Sequence, residues 1–126
     1  MKVNFPNDYQ QLMPYLMIKD AAGFMQFMST VFGTTEKTKH LRDDQTVMHA
    51  EIKVGECVIM VSEASTEYEA TPGSFFIYVA DADAIYAHAI EKGATAIMPV
   101  ADQQYGRSGG VKDPYGNTWW VTTHVG

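Results

Sequence analysis

The sequence has 126 residues, the size of one domain, and carries 15 acidic against 9 basic residues for a formal net charge of -6. This surplus of negative charge repels nucleic-acid backbones and anionic membranes and attracts cationic ligands. No stretch reaches the roughly 18 apolar residues of a membrane span, and the N-terminal "MKVNFPNDYQQLM" lacks the apolar core of a secretion signal. We therefore expect a cytoplasmic protein with neither nucleic acid nor membrane as a partner.

The first half begins with an N-terminal extension, residues 1–12, and an apolar strand in "MPYLMIKD". Asp20 is the predicted N-cap of a helix that Gly33 ends. Three strands follow, "EKTKHLR", "TVMHAEIK" and "CVIMVSE". The single cysteine, Cys57, has apolar neighbours, which favours a small buried hydrophobe over a nucleophile. Apolar residues at helical spacing form the stripe that faces a sheet: Phe24, Phe27, Met28, Val31 and Phe32.

The second half repeats this plan. A strand, "FFIYVAD", precedes a helix with Asp81 as cap and Gly93 as stop, and the strands "TAIMPVAD", "SGGVKD" and "NTWWVTTH" follow. The two caps, Asp20 and Asp81, lie 61 residues apart. We predict an α+β fold of two β-α-β-β-β modules in one domain, residues 13–126. Module one spans 13–63, the linker 64–73 and module two 74–126.

The stretches "HAEIKVGECVIMVSEA", "YVADADAIYAHAIEKGA" and above all "KDPYGNTWWVTTH" resemble the vicinal oxygen chelate superfamily, which contains glyoxalase I, bleomycin-resistance proteins and extradiol dioxygenases. They look closest to its small glyoxalase-like and bleomycin-resistance-like members. The resemblance implies mixed, curved sheets that form a cleft, helices on the outer face, and a homodimer that completes the cleft. A fold does not by itself give a reaction.

Enzymes of this superfamily hold a divalent metal with His, Glu or Gln side chains from the first and last strands of each module. Matched by motif, these positions in this chain are Met13, Met60, Phe75 and Trp120. None of them is a ligand for a hard divalent cation. We therefore expect no metal and no other cofactor, and we assign no catalytic residue. The same positions offer an apolar, aromatic lining that suits a flat ligand.

Strand alternation predicts which side chains share a face. The predicted cleft face holds Tyr15, Met60, Phe75, Thr118, Trp120 and Thr122. The predicted helix-facing set is Leu16, Ile59, Phe76, Trp119 and Val121.

Polar candidates are few. His49 and Glu51 share a strand face, because Met48, Ala50 and Ile52 are the predicted buried set; the pair orients a ligand, binds a metal, acts in acid–base chemistry, or is simply a solvated strand face. By strand alternation, His124 lies on the same face as Trp120 and is a candidate to close the opening of the cleft. The glycine-rich loop "QQYGRSGGV" places Tyr105 and Arg107 where an aromatic ring and a guanidinium can cover a ligand.

Three functions fit these observations. The first is a small-molecule binding protein of the bleomycin-resistance kind, a homodimer that sequesters an aromatic or cationic compound in its cleft. The second is a metal-dependent lyase or dioxygenase with displaced ligands, taken from His49, Glu51 and His124. The third is a scaffold whose cleft aromatics only fill a dimer core. For the first function the predicted ligand-binding residues are Tyr15, His49, Glu51, Met60, Phe75, Tyr105, Arg107 and Trp120.

Overall fold

The computed structural model describes residues 2–124. In chain order its elements are β1 (Tyr15–Ile18), α1 (Ala21–Phe32), β2 (Thr35–Leu41), β3 (Val47–Val54), β4 (Cys57–Glu63), β5 (Ser74–Tyr78), α2 (Ala82–Glu91), β6 (Thr95–Gln103), β7 (Gly106–Lys112) and β8 (Thr118–Thr123). The predicted α+β fold with its repeated β-α-β-β-β order is confirmed. The chain divides into two compact units at the junction of Thr71 and Pro72. Neither helix in the described part is long and apolar enough to cross a membrane.

Both helices start at the predicted aspartates. The Asp20 carboxylate accepts from the backbone N–H of Gly23 at 3.0 Å, and Asp81 accepts from that of Ala84 at 3.1 Å. Gly33, at φ +69°, ends α1 in the left-handed conformation that glycine tolerates best. Short-range capping of this kind is why the helix boundaries are readable from the sequence.

In the first unit, the sheet has the order β1-β4-β3-β2, with β1 parallel to β4 and the other pairs antiparallel. Helix α1 covers one face. The buried side chains on that side include Leu16, Ile18, Phe24, Met28, Ala50, Ile52, Ile59 and Val61. Cross-strand pairing of Tyr15 with Met60, and of Met60 with Glu51, places these three residues on the other face of the sheet.

Residues that precede β1 pack against this first unit. Gln10 Nε2 donates to the Val58 carbonyl at 2.8 Å, and Gln10 Oε1 accepts from the Val58 N–H at 3.1 Å. The side-chain amide thus makes the pair of hydrogen bonds that a neighbouring strand would make. Lys37 binds the Asp8 carboxylate at 2.7 Å and lies 4.8 Å from the centre of the Tyr9 ring. The segment is therefore anchored by side chains rather than by a strand of its own.

Two burial predictions in this unit are wrong. Met48 is exposed and Val47 is buried instead, because a β-bulge pairs His40 with His49 and Leu41 with Val47 and leaves Met48 without a cross-strand partner. Cys57 is exposed, since it is the first residue of β4 beside the turn glycine Gly55. The apolar neighbours that suggested burial lie further along the strand.

In the second unit, the sheet has the order β5-β8-β7-β6, with β5 parallel to β8. Helix α2 packs on β6, β7 and β8, and the buried side chains of the two central strands include Val111, Trp119 and Val121. Phe75 pairs with Trp119 and stacks on it, with ring centres 4.7 Å apart. Phe76 pairs with Trp120 on the opposite face.

The predicted faces of Phe75 and Phe76 are therefore wrong. The motif match set Phe75 equivalent to Met13, an offset of 62 residues, whereas the helix caps repeat at 61. A slip of one residue sends every side chain of a strand to the other face. Trp119 and Trp120 themselves lie on the predicted sides, since Trp119 is buried and Trp120 is half-buried.

The turn that enters β8 is organised by the buried carboxylate of Asp113. It accepts from the backbone N–H of Tyr115 at 2.8 Å and of Asn117 at 3.0 Å, from Asn117 Nδ2 at 3.1 Å and from Trp119 Nε1 at 2.8 Å. Asn117 Oδ1 in turn accepts from the N–H of Gly73 at 2.9 Å, just before β5. This network sets the direction in which the two tryptophans leave the turn.

Candidate functional site

Four aromatic side chains of the second unit form what we call the aromatic surface: Phe76, Tyr78, Tyr105 and Trp120. The Phe76 ring lies 5.2 Å from that of Tyr78 and 6.0 Å from that of Tyr105, centre to centre. Trp120 is its cross-strand neighbour. Phe76, Tyr78 and Tyr105 are 50%, 64% and 51% exposed, so these side chains lie at the surface and do not fill a core.

The Trp120 indole lies flat against the sheet because its cross-strand neighbour is a glycine. Gly110 pairs with it across the sheet, and a Cβ at position 110 would stand 2.4 and 2.6 Å from Cζ3 and Cε3 of the indole. The indole Nε1 donates to Ser74 Oγ at 3.3 Å. Beside it, the buried hydroxyls of Ser108 and Thr122 bond each other at 2.8 Å and stay satisfied. The indole thus presents a flat, polarizable surface on which a planar ligand can stack.

Arg107 does not join this surface. Its guanidinium binds Asp83 of α2 at 2.6 and 3.1 Å and Asp102 of β6 at 3.0 Å. The hydrogen bonds that the Arg107 guanidinium donates, to Asp83 first and to Asp102 second, raise its pKa above the ordinary value. Arg107 holds the β6–β7 hairpin against the start of α2, so its predicted position over the ligand is wrong. Tyr105, from the same loop, does lie beside Phe76.

In the first unit, four polar side chains form what we call the relay: Tyr9, Glu51, His49 and Tyr15. Tyr9 donates its hydroxyl to Glu51 Oε1 at 2.5 Å. His49 Nε2 lies 2.9 Å from Glu51 Oε2, and the Tyr15 hydroxyl lies 3.1 Å from His49 Nδ1. From Glu51 outward the exposure rises: the side chains of Glu51 and His49 are 8% and 28% exposed, and the residue Tyr15 is 48% exposed.

The electrostatics of the relay favour an ionised Glu51. Burial raises the pKa of Glu51, but hydrogen bonds from Tyr9 and His49, with the positive charge of Lys37 nearby, hold its pKa below the usual value. The bond to Glu51 and partial burial raise the pKa of the Tyr9 phenol. The solvated-face alternative therefore does not describe Glu51, which is buried and has both carboxylate oxygens hydrogen-bonded.

The remaining candidates are placed as follows. Met60 is half-buried and lies between Tyr15 and Glu51 in the sheet. Met13 is half-buried ahead of β1. His124 is exposed, and its ring lies 6.0 Å from that of Tyr78.

The donor set does not fit the divalent metal that the superfamily implies. On the first and last strands of the two units, the matched positions offer thioethers and aromatic rings. On the Trp120 face the register adds only neutral hydroxyls, those of Ser74, Tyr78, Thr118 and Thr122. Among residues 2–124, no three His, Cys, Asp or Glu side chains come together as a metal site would need. No reaction step is therefore assigned to a metal here.

Comparison with known proteins agrees with this architecture. Residues 10–121 match the family described as the Glyoxalase/Bleomycin resistance protein/Dioxygenase superfamily. The chain belongs to this superfamily. An uncharacterized protein of Mycobacterium bovis is 28% identical to it, over 86% of this chain and 79% of that one.

Two solved structures have a similar fold. TioX from Micromonospora sp. ML1 has a TM-score of 0.74 at 23% identity, over 92% of this chain and 99% of that one. TnmS3, an antibiotic binding protein from Streptomyces sp. CB03234, has a TM-score of 0.68 at 13% identity, over 93% of this chain and 100% of that one. Identities this low establish the shared fold alone.

Sequence reasoning missed three residues of these two clusters: Tyr9, Phe76 and Tyr78. A signal for Phe76 was present, because the 61-residue repeat of the helix caps makes Phe76 the equivalent of Tyr15. Tyr78 then follows by strand alternation. Nothing local announces Tyr9, whose partner Glu51 is 42 residues away in the chain.

Proposed function

We propose that this member of the superfamily is a small-molecule binding protein that sequesters a planar aromatic, preferably cationic, compound. The observation that carries the proposal is the aromatic surface, where three rings are at least half exposed and an indole lies flat over a glycine. Exposed aromatic clusters are uncommon on soluble proteins and mark binding sites. The absence of suitable metal ligands at the matched positions favours binding over the metal chemistry of the superfamily's enzymes.

Physical chemistry favours a flat guest that carries positive charge. Stacking on an indole or phenol face contributes roughly 0.5 to 2 kcal/mol beyond simple burial, more when the guest is a cation. The net charge of -6 adds a long-range attraction for cations. The antibiotic-binding description of TnmS3 supports the same class of function, although at 13% identity it does not specify a ligand for this chain.

We further propose that the protein is a homodimer in which a second copy helps to enclose the ligand. The support is the aromatic surface itself, since a single flat sheet face leaves much of a guest in water. Sedimentation velocity should give twice the monomer mass at micromolar concentration. A monomer throughout the concentration range contradicts this part of the proposal.

Dye binding tests the site directly. We would titrate protein into 9-aminoacridine, a planar cation, and into neutral acridine, and follow the emission of the dye so that loss of an indole does not remove the signal. Trp120→Ala should weaken 9-aminoacridine binding at least about tenfold, which corresponds to 1.4 kcal/mol. Trp119→Phe is the matched control, because Trp119 is buried on the α2 side and its loss should lower stability without changing affinity.

Two results would overturn the proposal. One is saturable dye binding that Trp120→Ala leaves unchanged. The other is stoichiometric zinc, nickel, manganese or iron in protein purified without chelators, lost when His49 or Glu51 is changed to Ala, because that result would favour the lyase or dioxygenase alternative. We expect elemental analysis to give well below one equivalent of metal per chain.

A further inference from the structure

The relay of the first unit has the arrangement of a general-base site. We propose that the Tyr15 hydroxyl, backed by His49 and Glu51, removes a proton from a planar carbon acid or oxygen acid that docks on the face of the first-unit sheet. This activity goes beyond sequestration and uses none of the residues of the aromatic surface.

The hydrogen bonds fix where each proton lies. An ionised carboxylate only accepts, and Glu51 has both oxygens occupied, Oε1 by Tyr9 and Oε2 by His49. His49 therefore donates from Nε2. In the neutral imidazole, Nδ1 then carries the lone pair and accepts the Tyr15 hydroxyl proton at 3.1 Å.

In this arrangement the Tyr15 hydroxyl donates to His49, so its oxygen still has lone pairs to accept with, and the residue is half exposed. A proton that arrives there displaces the phenolic proton to His49 Nδ1, and the resulting imidazolium is stabilised by the buried Glu51 carboxylate 2.9 Å from Nε2. The substrate keeps the bonding electron pair and becomes an anion or expels a leaving group. The proton then leaves the imidazole for solvent, and no oxidant, reductant or metal enters the step.

The surroundings of Tyr15 indicate the class of substrate. The Tyr15 and His49 rings pack edge to face with centres 5.5 Å apart, and Met60 is the cross-strand neighbour of Tyr15. Two rings and a thioether present a polarizable wall suited to a flat molecule. The charged atoms of Glu51 lie behind this wall, where they act on the imidazole and not directly on the guest.

A planar carbon acid with a built-in colour change tests the proposal without knowledge of the natural substrate. In 5-nitrobenzisoxazole, a base removes the proton from the ring carbon beside nitrogen, the released electron pair forms a nitrile as the N–O bond breaks, and a coloured cyanonitrophenolate results. A positioned general base typically contributes about 10²- to 10⁴-fold to such a step. Deuterium at the reacting carbon should slow the wild-type reaction, which identifies proton removal as the measured step.

Three variants assign the roles. Tyr15→Phe should lower kcat at least about tenfold with KM nearly unchanged, since only the hydroxyl is lost. His49→Gln should do the same. Glu51→Gln should also lower kcat, because a neutral amide no longer stabilises the imidazolium that forms on His49. Urea unfolding of each variant verifies that the fold is intact.

The matched control is Tyr68→Phe, which removes an exposed phenol of the same unit that lies outside the relay. It should react as the wild type does. The proposal is overturned if Tyr15→Phe reacts as fast as the wild type, or if Tyr68→Phe loses as much activity as Tyr15→Phe. It is also overturned if only His49→Gln loses activity while Tyr15→Phe keeps it. The last outcome would make His49 itself the base.

Discussion

Two adjacent glycines on β7 allow the aromatic surface and the core of the second unit to be perturbed separately. Gly110 lies under the Trp120 indole, where a Cβ would stand 2.4 Å from Cζ3. Gly109 points to the α2 side, where a Cβ would stand 2.7 Å from Val100 Cγ2 and 3.1 Å from Tyr86 Cδ2. The same chemical change, one added methyl, therefore meets a half-exposed ring in one case and the packed layer beneath α2 in the other.

The distances give the expected magnitudes. Unstrained carbon contacts lie at about 3.5 to 4.0 Å, so in Gly110→Ala the indole has to move away from the sheet by about 1 Å or more. It then no longer packs on residue 110 and loses its hydrogen bond to Ser74. The half-exposed ring moves without disturbing the core, so we expect a cost of about 1 kcal/mol or less in unfolding free energy. In Gly109→Ala the added methyl also meets the Val100 Cα at 3.1 Å, and overpacking of this kind costs about 1 to 3 kcal/mol.

The assay combines the 9-aminoacridine titration with urea unfolding of the same two variants. Gly110→Ala should weaken dye binding about tenfold with little loss of stability, and Gly109→Ala should lower stability with unchanged dye affinity. If Gly110→Ala binds the dye as tightly as the wild type, the flat indole is not part of the binding site. Equal loss of affinity in both variants would also refute the assignment of the two faces.

Three further predictions concern the supporting interactions. Asp113→Ala should lower the unfolding free energy by about 3 kcal/mol, because it removes the buried acceptor of hydrogen bonds from Asn117 and Trp119, and Asp113→Asn should cost less; urea unfolding compares them. The lowered pKa of Glu51 means that its ionised form stabilises the fold above the ordinary carboxyl pKa and that this contribution is lost as pH falls. The stability difference between wild type and Glu51→Gln should accordingly stay constant from pH 7 down to the ordinary carboxyl pKa and shrink as the pH falls below it. Arg107→Ala should leave dye affinity unchanged and shift the unfolding midpoint only slightly, since its ion pairs are exposed.

The sequence alone was sufficient for the features that depend on short-range order. The helix caps at Asp20 and Asp81 and the apolar stripe of α1 follow from interactions within a few residues along the chain. The shared face of His49 and Glu51 was predictable for the same reason, since it needs only the two-residue period of a strand. The resemblance carried by "DPYGN" added the superfamily, and the family match confirms it.

Only the tertiary structure decided which residues meet across the chain. Phe76 joins Trp120 because β5 pairs in parallel with β8, 44 residues later, in a register that no local pattern specifies. Tyr9 reaches Glu51 across 42 residues. Arg107 binds Asp83 instead of covering a ligand, because a guanidinium takes the carboxylates that folding brings within reach. Periodicity determines the face of a side chain along one strand, whereas the partner it meets depends on strand register and on packing between distant segments.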